Sequence, residues 1–340
     1  MSVRFRDVQT GWRSACMVEQ LSPNLYLIRI PLPGSPLGWV NSYVIKGLDR
    51  NLIIDTGLNR RECLEAMQAG LGEIEVDLKR TDFYITHMHT DHIALAPRLV
   101  QDSSTIYINR PDKEYIENWP GWEAIAGSAG LNGFPADELQ AAVSNHPGYK
   151  YAADVKPETS AVDEGDTFRY GGYCFRALAT PGHTRGHTCL YEPAKKVLVS
   201  GDHILFDITP NITCWTQEEN PLKSYIASLD RIYGLPVDLV LPGHRGLSGD
   251  CRKRITELKG HHQSRLEEAL SILKQGPKSA YEVASMMTWD IDCDSWEAFP
   301  ASQKWFATGE AIAHLRYLED SGQVFRETKA GFIVFAACHG

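Results

Sequence analysis

Thr86-His87-Met88-His89-Thr90-Asp91-His92 places four groups able to bind a metal within six positions. The run follows Asp82-Phe83-Tyr84-Ile85-Thr86, a short apolar stretch that reads as a buried strand. His87 and His89 are two apart, so an extended backbone sends both imidazoles to the same side. Asp91 and His92 fall where the chain turns into IALAPRLV (93–100), which reads as a helix. A strand-end loop of this kind can aim all four groups into one cavity. Imidazole and carboxylate ligands suit zinc, with manganese or iron as alternatives.

Three more segments share this grammar. Thr180-Pro181-Gly182-His183 follows CFRALA, Ser200-Gly201-Asp202-His203 follows VLVS, and Leu241-Pro242-Gly243-His244 follows DLVL. Each sets a ligand-type side chain at a glycine-containing turn just past an apolar strand. Such turns converge if the strands lie side by side. Seven groups exceed what one tetrahedral ion needs. They divide into His87, His89 and His183 for one ion and Asp91, His92 and His244 for a second, with Asp202 as a bridge. His146, His261, His262, His314 and His339 read as ordinary packed or surface histidines.

Working outward, strands are expected at 24–30, 40–46, 51–55, 106–110, 167–170, 173–179, 188–191, 197–200 and 238–241. Helices are expected at 59–71, 221–234 and 250–275. Residues 111–165 hold Tyr115, Trp119, Trp122, Phe134 and Tyr149 among Gly, Pro and Asn, and read as a largely helical insertion. After Gly276-Pro277 the order is two amphipathic helices (279–287 and 306–321) and a β-hairpin (324–327 with 332–335), which is the order of a winged helix. The expected architecture is an α/β sandwich, sheets inside and helices outside. A catalytic domain would span 1–250 and a smaller winged-helix-like domain 251–340.

The 340 residues suit two such units. The formal net charge of −9 disfavours nucleic acid as the main partner, because phosphate binding needs clustered Lys and Arg. Residues 251–340 carry eleven Lys/Arg and twelve Asp/Glu, not the basic stripe of a DNA reader. The eight cysteines, Cys16 among them, are scattered singly with no CxxC pair. The first twenty residues show no secretory signal, and no apolar run is long enough to span a membrane. The expected setting is the cytoplasm, with a small-molecule substrate, no membrane partner, and homodimerisation left open.

THMHTDH (86–92), TPGHTRGH (180–187), SGDHILF (200–206) and LPGH (241–244) resemble the metallo-β-lactamase superfamily, over about residues 20–250. LIIDTG (52–57) matches as well. The resemblance implies an αββα sandwich with two divalent metal ions at one edge of the sheets. It implies that Asp55 orients a ligating imidazole and that His187 supports the site without ligating. A hydroxide bridging the two ions would be the nucleophile, with Asp91 orienting it and accepting its proton. The nearest branches are glyoxalase II and the lactamase-B-like-protein-2 group, the latter through the C-terminal unit. Trp39, Tyr115, Trp119, Trp122 and His203 are candidate substrate contacts. The expected activity is hydrolysis of a small ester, thioester or lactone. A phosphodiesterase or endoribonuclease, a mononuclear iron persulfide dioxygenase and a winged-helix DNA-binding regulator are the alternatives.

Overall fold

Leu52, Ile53 and Ile54 are wholly buried, because each face of their strand is covered by a different apolar layer. Leu52 and Ile54 face a second sheet, while Ile53 faces a helix. The same alternation sends Tyr84 between the sheets and Phe83 and Ile85 to the helical side. The computed structural model describes residues 18–152, 156, 158–214, 216, 219–291 and 293–338. Cys16 and His339 lie outside these, as does the start of the expected catalytic domain.

The first sheet runs in chain order: β1 (Val18–Ser22), β2 (Leu25–Pro31), β3 (Trp39–Ile45), β4 (Asn51–Ile54), β5 (Thr81–Ile85), β6 (Ile106–Asn109) and β7 (Ser160–Val162). From β4 onward the neighbours are parallel. The second sheet holds β8 (Thr167–Tyr170), β9 (Tyr173–Ala179), β10 (Thr188–Glu192), β11 (Val197–Gly201) and β12 (Leu239–Pro242), in the order β12-β11-β10-β9-β8. Helix α1 (Arg61–Glu73) covers the outer face of the first sheet through Cys63, Ala66, Met67 and Leu71. The sandwich is the α/β fold expected.

Three differences have physical causes. The helix expected over 93–100 is only one turn, α2 (Thr90–Ile93), followed by a 3-10 turn at Ala96–Arg98. Pro97 has no N–H to donate, and its ring excludes the preceding turn of a regular helix. Strands β1 and β7 lie at the two edges of the first sheet and lack an alternating apolar pattern, so their sequences do not announce them. The insertion is helical as read, with α3 (Arg110–Glu117), α4 (Trp122–Leu131), α5 (Ala136–Asn145) and α6 (Pro147–Lys150), but β7 closes it.

The outer face of the second sheet is covered by α7 (Pro221–Tyr233) and α8 (Cys251–Leu273). An additional C-terminal domain continues with α9 (Ala280–Met286), α10 (Ala301–Asp320) and the hairpin β13 (Val324–Lys329) and β14 (Phe332–Ala337). Its apolar side chains join the same cluster as Leu198 and Val240 of the second sheet. Among the described residues, no helix is long and apolar enough to cross a membrane.

Trp305 of α10 is 1% exposed and packs among Ile125, Ala129, Phe134, Ala142 and Val143 of the insertion. Beside it, Lys304 Nζ donates to both carboxylate oxygens of Glu138 at 2.8 Å. Trp305→Ala should therefore cost about 3–5 kcal/mol of stability and loosen the insertion helices. Denaturant unfolding with hydrogen exchange over 122–150 would check both effects.

Candidate metal centre

Strand direction brings the predicted ligands together. The parallel strands β4 and β5 end side by side, delivering Asp55 and the His87–His92 run to one edge. The parallel pair β11 and β12 does the same for Asp202 and His244. Antiparallel β9 ends beside the start of β10, and β10 starts beside the end of β11, so His183 reaches the same edge. Close approach requires missing side chains. A Cβ on Gly243 would lie 2.3 Å from Asp202 Oδ1, and one on Gly201, whose φ is +48°, would lie 2.8 Å from His187 Nε2.

All seven predicted ligands meet. One ring atom each of His87, His89 and His183 fall within 4.8 Å of one another, as do ligand atoms of Asp91, His92 and His244. His87 Nε2 is 3.0 Å from His89 Nδ1. Asp202 Oδ2 stands between the two groups, 3.6 Å from His183 Nε2, 3.6 Å from His92 Nε2 and 3.3 Å from His244 Nε2. Asp91 Oδ2 is 3.4 Å from His244 Nε2.

The outer ring nitrogens fix which atom of each imidazole faces the centre. A carbonyl or carboxylate oxygen can only accept, so a ring nitrogen bonded to it must carry the proton. His183 Nδ1 donates to the Asn211 carbonyl and His244 Nδ1 to the Trp39 carbonyl, both at 2.8 Å. His92 Nδ1 donates to Asp55 Oδ2 at 2.8 Å. The Thr86 hydroxyl donates to the same Asp55 oxygen at 2.8 Å, and so accepts from His87 Nδ1 at 3.0 Å. In the neutral rings, four Nε2 lone pairs then point inward. His92 Nε2 and His244 Nε2 approach to 3.3 Å, which two bare lone pairs would resist. His183 Nε2 and Asp202 Oδ1 are buried without a hydrogen-bond partner. These orphaned atoms and converging lone pairs fit divalent cations between them.

Electrostatics agrees. Burial holds His87 and His183 below the usual imidazole range and takes His89 to about 3, so this trio is neutral and ready to ligate. Burial would raise the Asp202 carboxyl, yet His244 and His92 hold it well below the usual carboxylate range. Burial likewise opposes charge on His92 and His244. Asp55, Asp202 and Asp91 outweigh it at His92, and Asp202 and Asp91 push His244 up to about 10. The carboxylates demand positive charge here, and a metal ion would compete with protons for the same lone pairs.

Asp55 and His187 lie where the sequence reading expected support. Asp55 Oδ1 also accepts from the Thr86 N–H at 2.9 Å. His187 Nε2 accepts from the Asp202 N–H at 3.2 Å, while its Nδ1 meets the Thr180 hydroxyl at 2.8 Å. His203 corrects an expectation. It is wholly buried against the Tyr225 ring, with centroids 5.1 Å apart, and does not line an open cleft. A turn from His203 N–H to the Ser200 carbonyl directs it inward.

Tyr115, Trp119 and Trp122 form an edge-to-face series with centroids 5.3 and 5.4 Å apart. The Arg185 guanidinium, two residues past His183, lies 4.4 Å from the Tyr115 ring centre and pairs with Glu219. This joins the aromatic series to the His183 loop. Trp39 is half-buried, and its indole N–H donates to Asn41 Oδ1 at 3.0 Å.

Sequence reasoning missed Asp112. Its buried carboxylate accepts from the Met88 N–H at 2.9 Å and from the Thr184 hydroxyl and the Gly186 N–H at 2.8 Å each. Met88 sits between His87 and His89, and Thr184 follows His183. One side chain therefore ties together both loops of the three-histidine group. In RPDKEYIE the residue reads as an ordinary acid at a helix start, so the sequence carries no distinguishing signal.

Residues 36–244 match the family model described as "Metallo-beta-lactamase superfamily", well over half of the chain. The chain belongs to the metallo-β-lactamase superfamily. Residues 266–338 match the "Metallo-beta-lactamase-like, C-terminal domain". A beta-lactamase domain protein from Burkholderia ambifaria has a similar structure, with a TM-score of 0.83 and 26% identity over 94% of each chain. Among curated relatives, an atrochrysone carboxyl ACP thioesterase of Aspergillus fumigatus is 25% identical over 76% of this chain and 67% of its own. The human acyl-coenzyme A thioesterase MBLAC2 is 24% identical over 60% of this chain and 72% of its own. The chain spans 77% and 61% of the length of two further relatives, from Aquifex aeolicus and Neosartorya fischeri.

Asp112→Ala should weaken binding of one metal ion about 10–100-fold by freeing both loops that carry the three histidines. Competition with a chromophoric chelator would measure it, and an unchanged affinity would show that the loops hold themselves.

Proposed function

We propose that this metallo-β-lactamase-fold, metal-dependent hydrolase is dinuclear and cleaves a small thioester, ester or lactone. The observation that carries the reading is Asp202 Oδ2, within 3.6 Å of His183 from one ligand group and of His92 and His244 from the other. His87, His89 and His183 would hold one ion, and Asp91, His92 and His244 the other. Bound there, two divalent cations would supply an acidified water and polarise a carbonyl oxygen.

The remaining chemistry falls to the chain itself. Asp91 keeps 18% of its side chain exposed, against 9% or less for His92, His183, His244 and Asp202. Asp91, with the likewise part-buried His89, therefore marks the open side of the centre. Burial would raise the Asp91 pKa, but His92 and His244 hold it low, so it stands ionised; it acts as a base only transiently, on a proton it hands on at once. Water adds to the carbonyl carbon, the bond to the thiolate or alkoxide breaks, and the proton collected at Asp91 passes to that leaving group. Acid and thiol or alcohol are the products.

Thioesters stand first because two relatives are named as thioesterases, one for an acyl carrier protein and one for acyl-coenzyme A. Tyr115, Trp119 and Trp122 offer the apolar wall that an acyl or aryl group needs. Arg185 beside them is already paired with Glu219, which leaves little net charge for a bare phosphodiester. The free cysteines suit a reducing cytoplasm.

Asp202→Ala should reduce bound metal from two ions per chain and abolish hydrolysis across a panel of thioesters, lactones and phosphodiesters. Elemental analysis alongside turnover gives the test. One iron per chain in the unsubstituted protein would favour the dioxygenase alternative, and unchanged metal and turnover in the variant would refute the bridging role.

A further inference from the structure

His183 differs from His87 and His92 in what holds its outer nitrogen, and resembles His244, whose Nδ1 donates to the Trp39 carbonyl of β3. His92 and His87 are held through Asp55 and Thr86, inside the first sheet's own strand-end loops. His183 Nδ1 donates instead to the Asn211 carbonyl, in the irregular segment between β11 and α7. That segment is fastened to the C-terminal domain. Asn211 Nδ2 donates to Glu310 Oε2 at 3.1 Å, and the Cys214 N–H donates to the Gly309 carbonyl at 3.0 Å. Further along, Asn220 Nδ2 reaches the Arg316 carbonyl at 3.4 Å.

Glu310 is itself fixed. It is 8% exposed on α10, and its Oε1 lies 3.7 Å from Arg265 Nε on α8. Arg265 is anchored by Glu268 and the Thr288 carbonyl and lies 4.1 Å from the Trp289 ring centre. A buried carboxylate costs free energy unless it is paired, and the groups Glu310 meets are Arg265 and the Asn211 side chain of a segment whose Ile212 and Cys214 are themselves buried.

Resting on the metal-site reading above, we infer that Glu310 is a positioning residue through which the C-terminal domain sets the affinity of the ion held by His183. The chain of contact is Arg265, Glu310, the Asn211 side chain, the Asn211 carbonyl and His183 Nδ1. The acceptor on Nδ1 fixes the ring's orientation and raises the basicity of Nε2. The C-terminal domain is thereby part of the metal centre without contributing a ligand.

The test measures zinc and cobalt binding to the full chain by calorimetry and by cobalt d–d absorption. His183→Ala identifies which binding step belongs to that ion. Glu310→Ala and Asn211→Ala should each weaken that step about 10–100-fold and shift its cobalt spectrum, leaving the other step unchanged. Glu310→Gln keeps an oxygen acceptor for Asn211 Nδ2 and should restore most of the affinity. Asn211→Ala removes no buried charge and guards against misfolding of the Glu310 variants. Wild-type affinity at both steps in Glu310→Ala and Asn211→Ala, or parallel loss of both ions, would overturn the inference. Binding of a single ion by the unsubstituted protein would refute the dinuclear reading instead, and the same variants would then be read on that one ion.

Discussion

Asp202 is a buried carboxylate with three imidazole nitrogens within 3.6 Å of one oxygen. An ionised carboxylate removed from water costs several kcal/mol, of order, unless positive charge and hydrogen bonds surround it. Much of the sandwich's active edge answers that demand. The parallel pairing of β11 with β12 sets Asp202 beside His244, and Gly243 leaves the space a side chain would deny. His187 receives the Asp202 backbone N–H and so holds the turn that presents the carboxylate. Asp55 does the corresponding work on the other sheet, with one oxygen serving both His92 and Thr86.

That arrangement explains what could be read from sequence. Each candidate ligand follows an apolar strand within a few residues, and a strand announces itself by its residues. Convergence then follows from topology, since parallel neighbours end on the same edge. Groups that act on the ligands from elsewhere were less legible. Asp112 acts at the start of α3, where an acid is commonplace. Asn211 acts through its backbone carbonyl, which no side chain advertises. Pro97 did signal the end of the helix after His92, but the apolar run IALA masked it. His203 shows the limit of adjacency: one position past Asp202, a tight turn takes it into the core.

The C-terminal helices share one apolar cluster with the second sheet, through Leu198 and Val240 on one side and Leu258, Ala311 and Leu315 on the other. A unit joined in this way can transmit position. Residues 251–340 carry eleven Lys/Arg against twelve Asp/Glu, so their charge is nearly balanced. Its reach toward the site runs through the β11–α7 segment and, by Trp305 and Lys304, through the insertion. The Trp122 end of the insertion and the segment that holds His183 are therefore braced by the same helix, α10.

This bracing bears on selectivity. Trp122 opens α4, whose apolar side rests on α10, whereas Tyr115 is carried by α3, which packs on the first sheet; Arg185 links Tyr115 to the His183 loop. An acyl group lying along the series would be positioned by the same elements that orient His183. A shift of α10 would then move the Trp122 end of the wall together with the segment that holds His183. Phosphodiester recognition would need cationic groups free of partners near the ions, and Arg185 is already committed to Glu219. The proposed preference for an acyl group thus draws on the aromatic wall and the committed Arg185, apart from the names of the relatives.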